Sequence, residues 1–259
     1  ILIFTVLAMM LLSSSGELLT AYIAVETLSF GLYVLVAFDR YNIKSNEAGT
    51  KYIILGALSS AILLFGISQI YGLLGTTQFN EMAEVLRNNN SINPGLLIGF
   101  LFLIAGLGFK VASVPFHMWA PDVYQGSPTP VTAFMSVGPK AAAFAAFFRV
   151  FTEAIPEMAP SWEILLCVVA VLSMFVGNLG AIMQTNIKRL LAFSSISHGG
   201  YLLIAVIAKS SLAGSALLFY LLAYSFTTFG AFGIVILLGR KGQENLEIEN
   251  YSGLAYKHP

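Results

Sequence analysis

Charged side chains are scarce in this sequence. Its 259 residues contain 13 Lys and Arg against 13 Asp and Glu, so that 10% of the chain is charged and the formal net charge is zero. Average globular proteins have about 25% charged residues. Without a basic surface, nothing indicates a nucleic-acid partner. The single cysteine, Cys167, excludes an internal disulfide or a cysteine metal cluster, and we expect it to pack in an apolar core.

Apolar residues take the place of the missing charges. Hydrophobic residues make up 57% of the chain, and the mean hydropathy is +0.81. Because about 20 apolar residues span the hydrocarbon layer, the pattern predicts an all-α, polytopic transmembrane helix bundle that forms a single membrane domain over residues 1–259. We expect about eight segments, at 1–13 (partial), 17–38, 50–75, 95–124, 128–151, 162–183, 188–208 and 212–239. The apolar start at Ile1 indicates an internal fragment of a longer subunit.

Polar loops should separate these segments, the longest running from Gln78 to Asn93. With alternate loops on opposite sides of the membrane, the basic residues divide unequally. One side collects Arg40, Lys44, Lys51, Lys188, Arg189, Arg240, Lys241 and Lys257, and the other has Arg87, Arg149 and Lys209. The positive-inside rule assigns the richer side to the cytoplasm or its organellar equivalent. Glycines such as Gly56, Gly177 and Gly230 should permit close helix packing rather than bind phosphate.

The segment around Lys110 combines a charge with a helix breaker. Lys110 lies within an apolar run, and Pro115 follows it. A proline inside a helix removes a backbone hydrogen bond and clashes with the preceding turn, so we expect the helix to break just after Lys110. Broken helices at membrane depth recur at ion sites. The alternative is a simple proline kink, with Lys110 extending to the interface.

Two other ionisable groups lie deep in apolar segments. Glu26 is the one carboxylate so far inside a predicted membrane helix, and Lys140 directly follows Pro139. A charge at the bilayer centre costs roughly 2.5–3.5 kcal/mol on insertion scales, and such groups usually pair, relay protons or bind ions. We expect Glu26 to interact with a lysine across helices, because pairing opposes the effect of burial on the charged forms. The alternative is that these charges only join neighbouring helices.

Three more residues are candidates for the same site. His198 titrates near physiological pH and has serines around it. It is either a structural histidine or a proton relay. His117, beside Trp119 at the far end of the broken segment, is an interfacial residue or a direct proton carrier. Lys51 is a positive-inside anchor or a helper of Glu26. Together, the deep charges indicate an ion-handling membrane protein.

The motifs resemble one family, the antiporter-like membrane subunits of respiratory complex I, which are related to multisubunit cation/proton antiporters. The resemblance is carried by Lys110 followed by VASVPFHMWAPDVYQGSPTPVTAF, by GPKAAAFAAFFR around Lys140, and by NIKRLLAFSSISHGGYLL at 186–203. The GPKAAAF sequence and the run SSAILLFGISQIYGLLGTTQF at 59–79 are most similar to the N-type (subunit 2) branch.

This resemblance implies a set of roles. Glu26 and Lys110 would form the glutamate and broken-helix lysine pair, Lys140 would be the central relay lysine, and Lys51 the accessory basic residue, with His198 at a further relay position. The chain would have no cofactor of its own, since NADH, FMN, iron–sulfur clusters and quinone belong to other parts of the complex. Its partners would be the K-, M- and J-type membrane subunits and the lipid bilayer, with quinone acting indirectly. Its location would be the inner (plasma) membrane, or an organellar membrane in a eukaryote.

Two other functions stay open at this point. A cation/proton antiporter subunit would use the same deep groups without a redox partner. A structural spacer of a membrane complex would contain charges that only pair neighbouring helices.

Overall fold

The computed structural model describes residues 1–88, 93–239 and 245–257, and within them the backbone is mostly helical, as predicted. A π-helical turn and two 3-10 turns, at Val150–Ala154, Pro156–Met158 and Ile248–Tyr251, complete the regular structure. The α-helices are α1 (Leu2–Ser14), α2 (Leu18–Val36), α3 (Ile43–Leu74), α4 (Phe79–Asn88), α5 (Pro94–Lys110), α6 (Trp119–Gly126), α7 (Thr129–Arg149), α8 (Ala159–Ile182), α9 (Ile187–Ile207), α10 (Ala213–Leu238) and α11 (Leu254–Lys257).

In the described part of the chain, six helices are long and apolar enough to cross a membrane: α2, α3, α7 with its π-helical extension, α8 with the preceding 3-10 turn, α9 and α10. The other two predicted segments are α1, which is short, and α5 with α6, which are separated by a break. The protein is therefore an integral membrane helix bundle. Its core is made of buried apolar side chains from all of these elements.

The polar stretches contain more helix than the sequence patterns indicated. The side chain of Asn42 accepts a hydrogen bond from Lys44 N (3.0 Å), which caps α3, and the helix begins at Ile43 instead of near 50. The prediction of a loop from Gln78 to Asn93 was wrong, because Phe79–Asn88 form the amphipathic helix α4. Residues 89–92 of the predicted loop lie outside the described residues. The apolar residues of α4 recur at helical spacing and form one buried face, while the exposed residues are polar. This spacing is a better indicator of a helix than the overall polarity of the segment.

Contacts at the two ends of the bundle agree with the predicted distribution of basic residues. At what we call the basic end, where α2 ends and α3 begins, Lys51 and Arg189 both contact Asp122. Arg240 and Lys241 lie outside the described residues. At the opposite end, Arg149 donates to Ser15 O (2.6 Å), and Lys209 forms an ion pair with Glu163.

The opposite end is also closed by a short antiparallel bridge between Glu17 and Gln78. Hydrogen bonds from Thr77 Oγ1 (2.7 Å) and Thr20 Oγ1 (2.8 Å) to the Glu17 carboxylate lower its pKa below the usual range. The bridge and the Thr77 hydrogen bond hold the start of α2 against the turn after α3.

Close packing at glycine is confirmed at Gly56 and Gly177 and wrong at Gly230. A Cβ on Gly56 would lie 2.8 Å from Cζ of Tyr33, so the tyrosine ring of α2 packs directly on α3. A Cβ on Gly177 would lie 2.5 Å from Ser197 N, so α8 and α9 approach at a distance that only glycine permits. A Cβ on Gly230 would have no described atom within 4 Å. Cys167 was expected to be buried in the apolar core, but it is exposed. The apolar outer face of the bundle can accommodate a cysteine just as the core can.

Candidate functional site

The site is organised around the break between α5 and α6. Helix α5 ends at Lys110, Ala112 has a left-handed backbone conformation (φ 56°), and helical structure resumes at Trp119. Side chains form hydrogen bonds with backbone groups that the break leaves without helical partners, as a break at membrane depth requires. Ser173 Oγ on α8 accepts from Val114 N (2.9 Å), and Trp119 Nε1 donates to Phe109 O (2.9 Å). The sequence-based prediction of a break just after Lys110 is confirmed.

Lys110 and Glu26 are brought close together without direct contact. Lys110 Nζ donates to Ser29 Oγ on α2 (2.8 Å), and Glu26 lies one turn before Ser29 on the same face of that helix. Ser60 on α3 donates to the half-buried Glu26 carboxylate. The ion pairs closer than 4 Å among the described residues involve other side chains. Each of the two charged groups therefore has a serine hydroxyl as its hydrogen-bond partner, and the two do not form an ion pair.

Lys140 is buried in the middle of α7, with 4% of its surface exposed. Its ammonium contacts both Ser195 Oγ (2.7 Å) and Ser195 O on α9. Tyr224 on α10 donates to the same Ser195 Oγ (2.9 Å), and the Tyr224 ring centre lies 5.6 Å from Lys140 Nζ. Within the described residues, no carboxylate lies within 4 Å of Lys140. A hydroxyl both donates and accepts, so Ser195 Oγ can bond an ammonium or a neutral amine.

Gly199 connects Lys140 with the helix break. A Cβ on this glycine would lie 3.4 Å from Val111 O in the break and 3.7 Å from Lys140 Nζ. The break and the central lysine thus adjoin the same small space on α9. Both lysines of the candidate site therefore border the discontinuous helix: Lys110 ends α5, and Lys140 lies across Gly199 from Val111.

His198 belongs to the Lys140 cluster. Its Nδ1 is 2.6 Å from Tyr220 Oη, and its ring centre is 5.0 Å from that of Tyr224. His198 lies one turn after Ser195 on α9, so the histidine and Tyr220 lie close to Lys140 and its partners. Hydrogen bonds join Lys140, Ser195 and Tyr224 in one group and His198 with Tyr220 in a second, neighbouring group.

The structure brings His117 and Lys51 less close to these lysines. His117 is half-buried in the break, and its Nδ1 has no hydrogen-bond partner among the described residues. Lys51 forms ion pairs with Glu47 (2.8 Å) and Asp122 (3.0 Å). It lies nine residues before Ser60 on α3, about 14 Å along the helix from the Glu26 contact. This geometry favours Lys51 as an anchor at the basic end.

Sequence reasoning missed several residues of the site. Ser29 and Ser60 gave a weak signal, because small hydroxyl side chains are common in membrane helices. Ser195 was one of the serines noted around His198, but its contact with Lys140 was not predicted. Nothing in the local sequence marks Tyr224 or Gly199. Lys188, counted with the surface basic residues, is 1% exposed and donates to Ser127 O (2.7 Å). It holds the turn between α6 and α7.

Within the described residues, no three His, Cys, Asp or Glu side chains come together as a metal site would require. The polar groups of the candidate site are amines, hydroxyls, one carboxylate and two imidazoles.

Comparison with known proteins agrees with this arrangement. Residues 15–259 match the family described as NADH:quinone oxidoreductase/Mrp antiporter, TM. The NADH-quinone oxidoreductase subunit N of Trichlorobacter lovleyi is 47% identical over 260 residues, which covers 100% of this chain and 53% of that protein. The chain thus spans about half the length of the curated relatives it matches.

Solved structures of two complexes are similar in fold. A chain of respiratory complex I from Thermus thermophilus superposes with a TM-score of 0.79 at 38% identity, covering 99% of this chain and 54% of that one. A chain of the Mrp complex from Dietzia sp. DQ12-45-1b gives 0.75 at 26% identity, covering 84% and 40%. With the family match over most of its length, this chain belongs to the NADH:quinone oxidoreductase/Mrp antiporter family of membrane subunits.

Proposed function

We propose that this chain is part of a proton-translocating membrane subunit of NADH:quinone oxidoreductase, of the N type. The observation that carries the proposal is the environment of Lys140, a buried amine beside a helix break whose contacts are the oxygens of Ser195. A carboxylate in direct contact would fix the ammonium form. A serine hydroxyl bonds either protonation state, as a relay requires.

In this proposal the proton moves between two lysines beside the break. A change at Glu26, transmitted from the quinone-reducing part of the complex, alters the field at Lys110, which is held by Ser29 one turn away. The proton then passes along hydrated polar side chains toward Lys140. His198 continues the path through its contact with Tyr220. His117 is a further carrier in the break, and Lys51 supports the basic end.

The remaining chemistry belongs to other subunits. NADH, FMN, iron–sulfur clusters and quinone take part in electron transfer elsewhere in the complex, and this chain contributes no redox centre. Its partners are the neighbouring membrane subunits of the same complex, and its location is the inner (plasma) membrane. The similarity to the N subunit of Trichlorobacter lovleyi supports this assignment.

The test is NADH-driven proton uptake into sealed vesicles that contain the assembled complex with the full-length subunit. Lys110→Ala and Lys140→Ala should each lower uptake by about tenfold or more, since a positioned proton-transfer group contributes roughly 10²-fold or more to its step. The rate of NADH oxidation, measured with an artificial electron acceptor, should be unchanged. The matched control is Lys44→Ala, which removes an exposed lysine at the basic end. Normal uptake in both variants at full assembly would contradict the relay.

The second candidate is a cation/proton antiporter subunit, which the likeness to the Mrp complex chain favours. It predicts Na⁺/H⁺ exchange in vesicles without NADH and no co-purification with flavin or iron–sulfur proteins. A merely structural role predicts instead that Glu26→Gln combined with Lys110→Met has no effect on uptake.

A further inference from the structure

Two apolar grooves meet at Trp162 at the opposite end of the bundle. One, of about 340 Å³, lies between α5 and α8 and includes Phe100, Ile104 and Leu165. The other, of about 330 Å³, lies where α7, α8 and the turn between α9 and α10 converge, and includes Phe148, Phe151 and Ala205. Trp162 lines both grooves, so the two grooves adjoin at this side chain.

The second groove has a polar rim with one cation, and the carboxylate that pairs with this cation lies next to the rim. Lys209, Ser210 and Ser211 line it in the turn after α9. Lys209 Nζ forms an ion pair with Glu163 on α8 and lies 5.5 Å from the centre of the Trp162 ring. The Lys209 backbone is left-handed (φ 48°), a conformation that residues other than glycine rarely adopt. This turn holds the cation beside the groove.

We propose that the grooves bind one phosphatidylethanolamine molecule. The lipid phosphate accepts hydrogen bonds from the Lys209 ammonium and from the serine hydroxyls of the rim. The lipid ammonium donates to the Glu163 carboxylate. The two acyl chains lie along the apolar walls on either side of Trp162.

The arrangement of charges selects this class of lipid. Lys209 and Glu163 together have no net charge, and a zwitterionic headgroup supplies the complement of each. An anionic headgroup would meet the Glu163 carboxylate without a cation to offer it. Phosphatidylcholine has the same net charge as phosphatidylethanolamine, but its quaternary ammonium has no N–H to donate to a carboxylate.

The position of the rim suits a headgroup as well. Helix α9 ends at Ile207, and α10 begins at Ala213, so the rim lies where two membrane-spanning helices leave the hydrocarbon. Trp162 is in the first turn of α8, at the same level. Tryptophan and long basic side chains are typical of this interfacial layer. Apolar walls below a polar rim therefore match the two parts of a phospholipid.

The test measures lipid retention by the detergent-purified parent complex. The complex is equilibrated with mixed micelles containing equal amounts of phosphatidylethanolamine, phosphatidylglycerol and phosphatidylcholine, washed, and examined by native mass spectrometry. The wild-type subunit should keep phosphatidylethanolamine in preference to the other two. Lys209→Gln should lower its retention about fivefold, since a basic residue near a lipid headgroup contributes on this scale. Glu163→Gln should shift the preference toward phosphatidylglycerol.

Two more variants separate the groove from a general charge effect. Ala205→Trp, which fills the groove, should lower retention of all three lipids. Arg87→Gln removes a charge from the exposed pair with Glu157 at the same end of the bundle and should leave retention unchanged. Equal retention of the three lipids by the wild type, or no retained lipid, would overturn the proposal. The readout is lipid mass, so the result is independent of proton translocation.

Discussion

At the scale of single residues, the site depends on hydroxyl groups as much as on charges. Lys110 bonds Ser29, Glu26 accepts from Ser60, and Lys140 bonds Ser195. Burying a polar group without a hydrogen-bond partner is unfavourable in free energy, so each of these hydrogen bonds also stabilises the fold. Because hydroxyls can donate or accept, they leave the protonation state of the lysines open.

Tyr224 offers a test of this arrangement. Tyr224→Phe keeps the ring beside Lys140 and removes the hydroxyl that donates to Ser195. A hydrogen bond contributes about 1 kcal/mol net, so we expect NADH-driven proton uptake to fall about fivefold. Tyr41→Phe, at a tyrosine that is 83% exposed, should behave as wild type. Equal uptake in the two variants would remove Tyr224 from the proposed path.

At the scale of secondary-structure elements, α6 is a short helix held from two sides. Its Asp122 contacts Arg189 on α9 (2.5 Å) and Lys51 on α3 (3.0 Å). In the interior, the Trp119 ring stacks on Tyr52, with ring centres 4.7 Å apart. Helix α6 has only eight residues, too few for stable helical structure on its own, so these contacts fix its position and that of the break.

Asp122→Asn should loosen α6. We expect amide hydrogen exchange over 119–126 to become a few-fold faster, because exposed ion pairs contribute at most about 1 kcal/mol. The matched control is Glu47→Gln, which removes the other partner of Lys51 but lies on the same helix as that lysine. Exchange in α6 should be unchanged in this control. If both variants accelerated α6 equally, the ion pairs between helices would not be what holds it.

At the scale of the whole molecule, the unequal distribution of basic residues predicts one orientation in the membrane. Tyr41, near the basic end, and Leu212, at the opposite end, are both exposed. In a Cys167→Ser background, a membrane-impermeant maleimide added to right-side-out vesicles should label Leu212→Cys and leave Tyr41→Cys unmodified. Inside-out vesicles should give the reverse. Labelling of both positions from one side would contradict the positive-inside assignment.

The sequence by itself determined the helix bundle, the break after Lys110 and the burial of Lys140, but not that of Lys188. These follow from short-range physics: the length of apolar segments, the missing N–H of proline and the high cost of charge in hydrocarbon. The same local rules failed at Phe79–Asn88, where polar residues masked an amphipathic helix.

Only the tertiary structure decided how the deep residues are connected. It placed Ser29 beside Lys110, put Ser195 and Tyr224 around Lys140, and opened the space at Gly199 between Lys140 and the break. These contacts join residues far apart in the chain, and no local pattern encodes which faces of two helices meet. The packing of α7 against α9 and α10 therefore gathers around Lys140 candidate residues that the sequence presents separately.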